Sequence, residues 1–172
     1  MDLRALVREV PDFPKPGVSF KDITTVLRNG AALRYVVQTM ADHFRPRRPD
    51  VIVGVESRGF LLGAPLAYEL GVGFVLVRKA GKLPADKISI EYELEYGTDS
   101  LEIHTDAIEP GQKVLIVDDL LATGGTMAAA AQLVERLQGE IVGFAFLIEL
   151  NYLGGRSRLG DYEVLSLIQY DE

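Results

Sequence analysis

Apolar residues recur along the chain at two spacings, one typical of buried strands and one typical of helices. Runs rich in apolar residues predict strands over 50–55, 73–77, 113–117, 141–148 and 162–168. Helical spacing predicts helices over 31–44, 59–70 and 125–137, with a distortion at Pro65, and a short first helix over roughly 2–9. Because strands alternate with helices, we expect residues 1–172 to form a single α/β domain. Its sheet should be mostly parallel and twisted, with helices on both faces.

Residues 83–108 follow a different pattern, in which polar and apolar positions alternate on both sides of a turn. The alternation over 87–96 and 100–104, around a turn at 97–99, predicts a two-stranded β-hairpin with polar faces. An isolated hairpin is only marginally stable in water. We therefore expect residues 83–108 to form a mobile flap.

Composition and charge exclude several classes of function. The chain has no cysteine and two histidines, which excludes disulfides and cysteine catalysis and argues against a multi-histidine metal site. A net charge of −7 argues against a general nucleic-acid binder, because such proteins use cations to displace phosphate counterions. The N-terminal residues lack the pattern of a secretory signal, and no apolar run approaches the ~20 residues that span a bilayer. We therefore expect a soluble, cytoplasmic protein.

Two carboxylates and a glycine-containing loop connect the strand 113–117 to the helix 125–137. The carboxylates are Asp118 and Asp119, and the loop consists of Ala122, Thr123, Gly124, Gly125 and Thr126. A helix N-terminus offers unpaired N–H groups and the positive end of a dipole, which suits a phosphate. The carboxylates would repel a phosphate, so we expect them to accept hydrogen bonds from ribose hydroxyls. A helix cap alone would explain one Asp or one Thr, but not the whole set. The loop is neither a P-loop nor a dinucleotide motif.

Cationic residues follow two other predicted strands. Ser57 and Arg58 come after the strand 50–55, and Arg78, Lys79 and Lys82 come after the strand 73–77. Arg58 and nearby amides can stabilise the negative charge that develops on a diphosphate leaving group. A surface arginine and a solvated basic turn are the alternatives.

A loop rich in proline precedes the first long helix and contains Phe20. Such a loop can present its backbone to a purine edge, and stacking of Phe20 on the ring would contribute about 1–3 kcal/mol. The alternative is an ordinary connection with Phe20 in the core.

These motifs resemble those of known enzymes over most of the chain, from Asp12 to about Thr126. Segment 117–126 resembles the ribose-5-phosphate signature of type I phosphoribosyltransferases. Segments 12–24 and 78–84 are similar to those of the adenine phosphoribosyltransferase family. The resemblance implies the type I phosphoribosyltransferase fold, with residues 1–30 as a small N-terminal hood over the base. It also implies transfer of a 5-phosphoribosyl group from 5-phosphoribosyl-1-diphosphate to N9 of adenine, which gives AMP and pyrophosphate in purine salvage.

The resemblance implies a role for each matching residue. Ser19, Phe20, Lys21 and Leu120 bind adenine, although Ser19 stands where the family more often has an apolar residue. Ser57, Arg58, Arg78, Lys79 and Lys82 bind pyrophosphate, partly across the interface of a homodimer, and a cis peptide bond is expected near Glu56 and Ser57. Glu95 and Tyr96 of the flap are catalytic together with Arg58. Mg²⁺ is held mainly by the substrate, with no direct protein ligand.

Two alternatives to this reaction remain open from the sequence. One is a phosphoribosyltransferase for hypoxanthine, guanine or xanthine. The other is a regulator that binds a ligand with this fold and does not turn it over.

Overall fold

Strands and helices alternate through most of the chain. The structure, a computed structural model, describes residues 1–94 and 96–172. Within them the strands are β1 (Arg8–Val10), β2 (Phe20–Asp22), β3 (Val51–Val55), β4 (Gly73–Lys79), β5 (Lys87–Glu93), β6 (Thr98–His104), β7 (Lys113–Leu121), β8 (Glu140–Leu150) and β9 (Val164–Tyr170). The α-helices are α1 (Thr24–Leu27), α2 (Gly30–Phe44), α3 (Arg58–Leu70) and α4 (Gly125–Arg136).

Seven of these strands form one sheet, in the order β5-β6-β4-β3-β7-β8-β9. Strands β4, β3, β7, β8 and β9 pair in parallel, whereas β6 is antiparallel to β4 and to β5. The predicted α/β fold with a mostly parallel sheet is therefore confirmed. Strands β1 and β2 form a separate antiparallel pair near the N-terminus.

Alternate residues of the central strands pack on opposite faces of the sheet. Val53 belongs to a buried cluster with Leu133 of α4, whereas Ile52 belongs to a second cluster with Met40 of α2 and Leu62 of α3. Side chains of a strand point alternately to its two faces, so these clusters lie on opposite sides. The prediction of helices on both faces is confirmed.

The long helices begin and end close to the predicted residues. Asn29 caps α2, because its side chain accepts a hydrogen bond from the Ala32 N–H at 3.1 Å. Gly71 ends α3 in the left-handed conformation, with φ of 70°. Pro65 lies inside α3, and the helix continues through it to Leu70.

The predicted first helix over 2–9 is wrong. Only Arg4–Leu6 forms a 3-10 turn, and the next residues extend into β1. Strand β1 pairs with β2, and the Arg8 guanidinium lies 2.7 Å from the Asp22 carboxylate across this pair. Pairing with a segment more than ten residues away overrides the local helical pattern.

The hairpin forms as predicted, but its predicted polar faces and isolation are wrong. Strand β6 pairs with β4, where Arg78 is opposite Glu102, so the hairpin extends the main sheet. Ile90, Leu101 and Ile103 are buried in the cluster that contains α4. A hydrophobic face and a neighbouring strand anchor this hairpin in the core. The mobility of the flap stays a prediction.

Replacing Leu101 by Ala tests whether the hairpin belongs to the core. Leu101 is buried, and the cavity left by Leu101→Ala should lower the free energy of unfolding by about 2–5 kcal/mol. Leu94 follows β5 and is exposed, so Leu94→Ala is the matched control and should change this free energy by less than about 0.5 kcal/mol. Urea unfolding measures both. Equal, small effects would contradict the anchoring of the hairpin.

Candidate active site

The predicted site segments meet at one edge of the sheet. Strands β4, β3, β7 and β8 are parallel neighbours, so their carboxyl ends share that edge. Open α/β sheets bind ligands in the crevice outside the carboxyl ends of their strands. Three cavities lie here, and each receives loops from different strands.

The first cavity, called here the glycine-loop cavity, has a volume of about 200 Å³. Its lining consists of Arg58 and residues 118–127. Strand β7 runs on to Leu121, so Asp118 and Asp119 lie within the strand and the turn into α4 is tight. Gly124 precedes α4 with φ of 88°, and no side chain among the described residues caps the helix there. The N–H groups of the first turn are left for a ligand.

A second loop packs closely against this turn. A Cβ atom on Gly124 would lie 2.6 Å from the backbone oxygen of Gly155 and 3.2 Å from the Cβ of Arg158. The left-handed conformation and this close approach both require glycine at position 124.

The two carboxylates of β7 differ in their surroundings. The Asp118 carboxylate accepts a hydrogen bond from the Asp119 N–H at 2.8 Å, and burial raises the pKa of Asp118, with the charge of Asp119 adding to the effect. Asp119 is buried, and its carboxylate accepts a hydrogen bond from Nε of Arg58 at 2.6 Å. The Asp119 charge raises the pKa of Arg58. Arg58 is therefore held in place while more than half of its side chain stays exposed.

The second cavity, called here the lysine cavity, has a volume of about 360 Å³. It is lined by Glu56, Ser57, Arg58, Lys79, Lys82, Asp118 and Asp119. The Glu56 carboxylate accepts hydrogen bonds from the Lys82 ammonium group and from the Lys79 N–H. Burial raises the pKa of Glu56, but these two donors outweigh it and the pKa is lowered. The Glu56 carboxylate, on a side chain that is 8% exposed, thus holds the ammonium group of Lys82 at this cavity.

Two further observations concern the predicted pyrophosphate residues. The Glu56–Ser57 peptide bond is cis, as the resemblance implies. Arg78 does not line the lysine cavity, because its Nε lies 3.3 Å from Glu56 and its guanidinium lies over the Phe60 ring. The structure brings four of the predicted residues together around this cavity, namely Ser57, Arg58, Lys79 and Lys82. The fifth, Arg78, contacts Glu56 and is not part of the lining.

The third cavity, called here the Phe20 cavity, has a volume of about 400 Å³ and a largely apolar lining. Its lining residues are Gly17, Val18, Ser19, Phe20, Lys21, Arg58, Leu120, Leu150, Tyr152 and Leu153. The Phe20 ring is half-buried and packs edge-on against Phe13, with 5.2 Å between ring centroids. The predicted base-binding residues therefore share one cavity.

The side chain of Lys21 has partners within the protein. Its ammonium group is buried and lies 3.1 Å from the Glu9 carboxylate, 3.3 Å from Oγ of Ser19 and 4.3 Å from the centre of the Tyr170 ring. Because these partners hold the ammonium group, the backbone of Lys21 is the part that remains for a ligand.

Arg58 lines all three cavities, so they are neighbours, and together they are called here the cleft. Asp118 and Asp119 lie between the glycine-loop and lysine cavities, and Leu120 lies between the glycine-loop and Phe20 cavities. The cleft therefore offers an apolar compartment, a helix N-terminus beside two carboxylates, and a cationic compartment.

Of the two predicted flap residues, Tyr96 lines none of the three cavities. Glu95 lies outside the described residues, and the Tyr96 side chain is 83% exposed. The hairpin nevertheless reaches the glycine loop, since the Glu93 carbonyl oxygen lies 4.0 Å from the position of a Cβ atom on Gly125. A role for Glu95 and Tyr96 in catalysis stays a prediction.

Comparison with known proteins finds relatives that cover almost the whole chain. Residues 22–172 match the family model described as a phosphoribosyl transferase domain. A curated adenine phosphoribosyltransferase from Synechococcus sp. is 58% identical, covering 99% of this chain and all of the relative. The crystal structure of the enzyme from Thermoanaerobacter pseudethanolicus superposes with a TM-score of 0.95 at 57% identity, covering 98% of each chain.

The chain belongs to the adenine phosphoribosyltransferase family. A further crystal structure of the family, from Saccharomyces cerevisiae, is complexed with adenine and an imino-altritol bisphosphate. It superposes with a TM-score of 0.93 at 44% identity and covers 96% of each chain. The family resemblance inferred from the motifs is thereby confirmed.

Several residues that line the cleft are not among the predicted site residues. Glu56 lies in the lysine cavity, and Leu150, Tyr152 and Leu153 form a wall of the Phe20 cavity. Leu150 is the last residue of β8, and Tyr152 and Leu153 follow it. The carboxyl end of β8 reaches the same edge as those of β3 and β7. The rule that ligands bind at the carboxyl ends of parallel strands was the signal that could have identified them.

Replacing Gly124 by Ala tests the close packing of the glycine loop. The added Cβ should displace the loop from Gly155 and lower the affinity for ribose 5-phosphate by at least about tenfold. Gly111 has φ of 85° and open space around its Cβ position, so Gly111→Ala is the matched control for backbone strain alone. Titration calorimetry measures the affinity. Equal affinities of the two variants would refute the steric argument.

Proposed function

We propose that the chain transfers the 5-phosphoribosyl group from 5-phosphoribosyl-1-diphosphate to N9 of adenine, giving AMP and pyrophosphate in purine salvage. As a reaction class, this is pentosyl transfer. The observation that carries the proposal is the order of the cleft: apolar cavity, glycine loop with two carboxylates, and lysine cavity, all meeting at Arg58. The reacting groups would lie in the same order, with the base in the apolar cavity, the ribose 5-phosphate at the glycine loop and the diphosphate in the lysine cavity.

The donor's 5-phosphate binds the N-terminus of α4 in this proposal. The N–H groups of Ala122 to Thr126 and the hydroxyls of Thr123 and Thr126 donate hydrogen bonds to it. Asp118 and Asp119 accept hydrogen bonds from the ribose hydroxyls. Because Asp119 is already fixed by Arg58, the sugar is positioned before the reaction begins.

The diphosphate binds in the lysine cavity. Ser57, Arg58, Lys79 and Lys82 line this cavity and would stabilise negative charge as the bond to C1′ breaks. Arg78 either holds the Glu56 carboxylate, to which it donates a hydrogen bond, or contributes to the active site of a second subunit.

Mg²⁺ fits the oxygen donors of this region. Three carboxylates, of Glu56, Asp118 and Asp119, line the lysine cavity, although no group of three or more His, Cys, Asp or Glu among the described residues is arranged to hold a metal. In this proposal Mg²⁺ is held mainly by the diphosphate and the ribose hydroxyls. It adds positive charge near the leaving group.

Adenine binds in the Phe20 cavity. Phe20 and Leu120 cover its two faces, and the backbone of Ser19 to Lys21 reads the base edge. Adenine presents a ring acceptor beside an amino donor, and 6-oxopurines reverse that order, so buried backbone groups discriminate between them. The Saccharomyces cerevisiae relative, complexed with adenine, supports this choice of base.

Flap residues would complete the site. Glu95 takes the proton that N9 loses as it attacks C1′, and Tyr96 donates to the departing diphosphate. Tyr96 is exposed, so the hairpin tip must move over the cleft for this contact. Closure would also exclude water from the reacting sugar.

The assembly and location are part of the proposal. Leu61 and Tyr68 of α3 and Leu76 of β4 are exposed apolar side chains, which supports a homodimer. A phosphorylated donor does not cross a lipid bilayer unaided, which supports a cytoplasmic location. Among the described residues, no helix is long and apolar enough to cross a membrane.

Pyrophosphate release across a panel of nucleobases tests the proposed function. Adenine should support turnover, and hypoxanthine, guanine and xanthine should react at least about a hundredfold more slowly. Faster turnover of an oxopurine would assign another base. No release with any base would favour a regulator that binds ligands without turnover.

Replacing Glu95 by Gln tests the proton acceptor. If the carboxylate takes the N9 proton, Glu95→Gln should lower kcat by about 10²–10⁴-fold while the affinity for the donor stays nearly unchanged. Glu93 is exposed and lies two residues away, so Glu93→Gln is the matched control. Steady-state kinetics and donor titration measure both quantities. A loss of donor affinity with kcat preserved would count against this role.

A further inference from the structure

The segment that follows β8 contributes to two parts of the cleft at once. Tyr152 and Leu153 line the Phe20 cavity, and Gly155 packs against the glycine loop. A Cβ atom on Gly155 would lie 3.1 Å from the Gly124 nitrogen. The position of this segment therefore affects both the glycine loop and the wall of the Phe20 cavity that Tyr152 and Leu153 form, which we call the base wall. We call Asn151–Leu153 and Gly155–Leu159, with Gly154 between them, the connecting segment.

One arginine ties the connecting segment to the sheet. Nε and Nη2 of Arg156 donate to the two oxygens of the Glu149 carboxylate, at 3.1 and 2.6 Å. Nη1 of Arg156 donates to the Val164 carbonyl oxygen at 3.1 Å, and the Ser166 hydroxyl donates to Glu149 at 2.7 Å. Arg156 thus joins the end of β8 to β9.

The geometry of this pair restricts its orientation. A guanidinium that bonds both oxygens of a carboxylate has one planar arrangement, which a single ammonium group does not reproduce. Glu149 is 4% exposed, and the hydrogen bonds from Arg156 lower its pKa, with Ser166 contributing in the same direction. A buried carboxylate needs such partners, so the pair stays formed in the folded protein.

We infer that Arg156, through Glu149, is a positioning residue that holds the base wall against the glycine loop. The inference rests on the proposed function and assigns a role outside the residues that contact substrate. Tyr152 and Leu153 lie only three or four residues from Arg156, so their positions depend on its hydrogen bonds with Glu149. The glycine loop is also held by β7 and α4, so its position depends less on the Arg156–Glu149 pair. Loss of Arg156 should therefore weaken adenine binding more than donor binding.

The chain contains a second arginine–glutamate pair at the opposite edge of the sheet, Arg47 with Glu163, whose carboxylate is more exposed than that of Glu149. Nε of Arg47 lies 2.6 Å from the Glu163 carboxylate, and Nη1 of Arg47 donates to the Val142 carbonyl oxygen at 3.4 Å. The Arg47 side chain is 51% exposed, against 47% for Arg156. Glu163 precedes β9, at the amino ends of the parallel strands, so this pair contacts none of the three cavities.

The experiment compares Arg156→Met with Arg47→Met in steady-state kinetics and thermal unfolding. Arg156→Met should raise KM for adenine by about tenfold, with KM for the donor and kcat each changed by less than about threefold. Arg156→Lys should recover part of the adenine KM. Arg47→Met should leave all three constants unchanged, and both Met variants should lower the unfolding midpoint.

Glu149→Gln, compared with Glu163→Gln, provides the same contrast if Arg156→Met does not fold. Glu149→Gln should raise KM for adenine, and Glu163→Gln should not. Equal rises in both KM values, or kinetics of the Arg156 and Glu149 variants that match their controls, would overturn the inference while the wild-type enzyme stays active. A wild-type chain that releases no pyrophosphate with adenine would overturn both the proposed function and this inference.

Discussion

Arg58 opens α3 and Asp119 lies on β7, and their side chains meet at 2.6 Å where the three cavities join. A buried carboxylate such as Asp119 is stable only with a partner of this kind. Strands β3 and β7 pair in parallel with Gly54 opposite Val117, and this register sets the distance between the two side chains. The order of compartments along the cleft therefore depends on one ion pair and on the strand pairing beneath it.

The two substrates meet parts of the molecule that are stabilised in different ways. The donor compartments stand on β3, β4 and β7, whose apolar side chains form the interior of the sheet. The base compartment is built from the N-terminal segment and from residues at and after the end of β8. Surface and half-buried ion pairs hold both of these segments in place. Lys21 with Glu9 and Arg156 with Glu149 are the main examples. Substitutions at such pairs should weaken binding of the base more than binding of the donor.

Sequence patterns predicted the parts of this fold that depend on local periodicity and turn chemistry. The central strands, the long helices and the turn into α4 followed from apolar spacing and from paired glycines. The patterns failed where distant pairing decides the outcome: Arg8 extends into a strand because β2 lies beside it, and Leu101 is buried because β6 joins β4. Leu150, Tyr152 and Leu153 were missed because apolar residues at and just after the end of a strand carry no chemical signature of their own.

A crystal structure with bound AMP would locate two compartments of the cleft at once, because AMP contains both the base and the 5-phosphate. We predict that the phosphate is bonded to backbone N–H groups of residues 122–126 and the ribose hydroxyls to Asp118 and Asp119. Adenine should lie between Phe20 and Leu120. A phosphate bound at Lys79 and Lys82, with the base outside the Phe20 cavity, would show that the compartments are wrongly assigned.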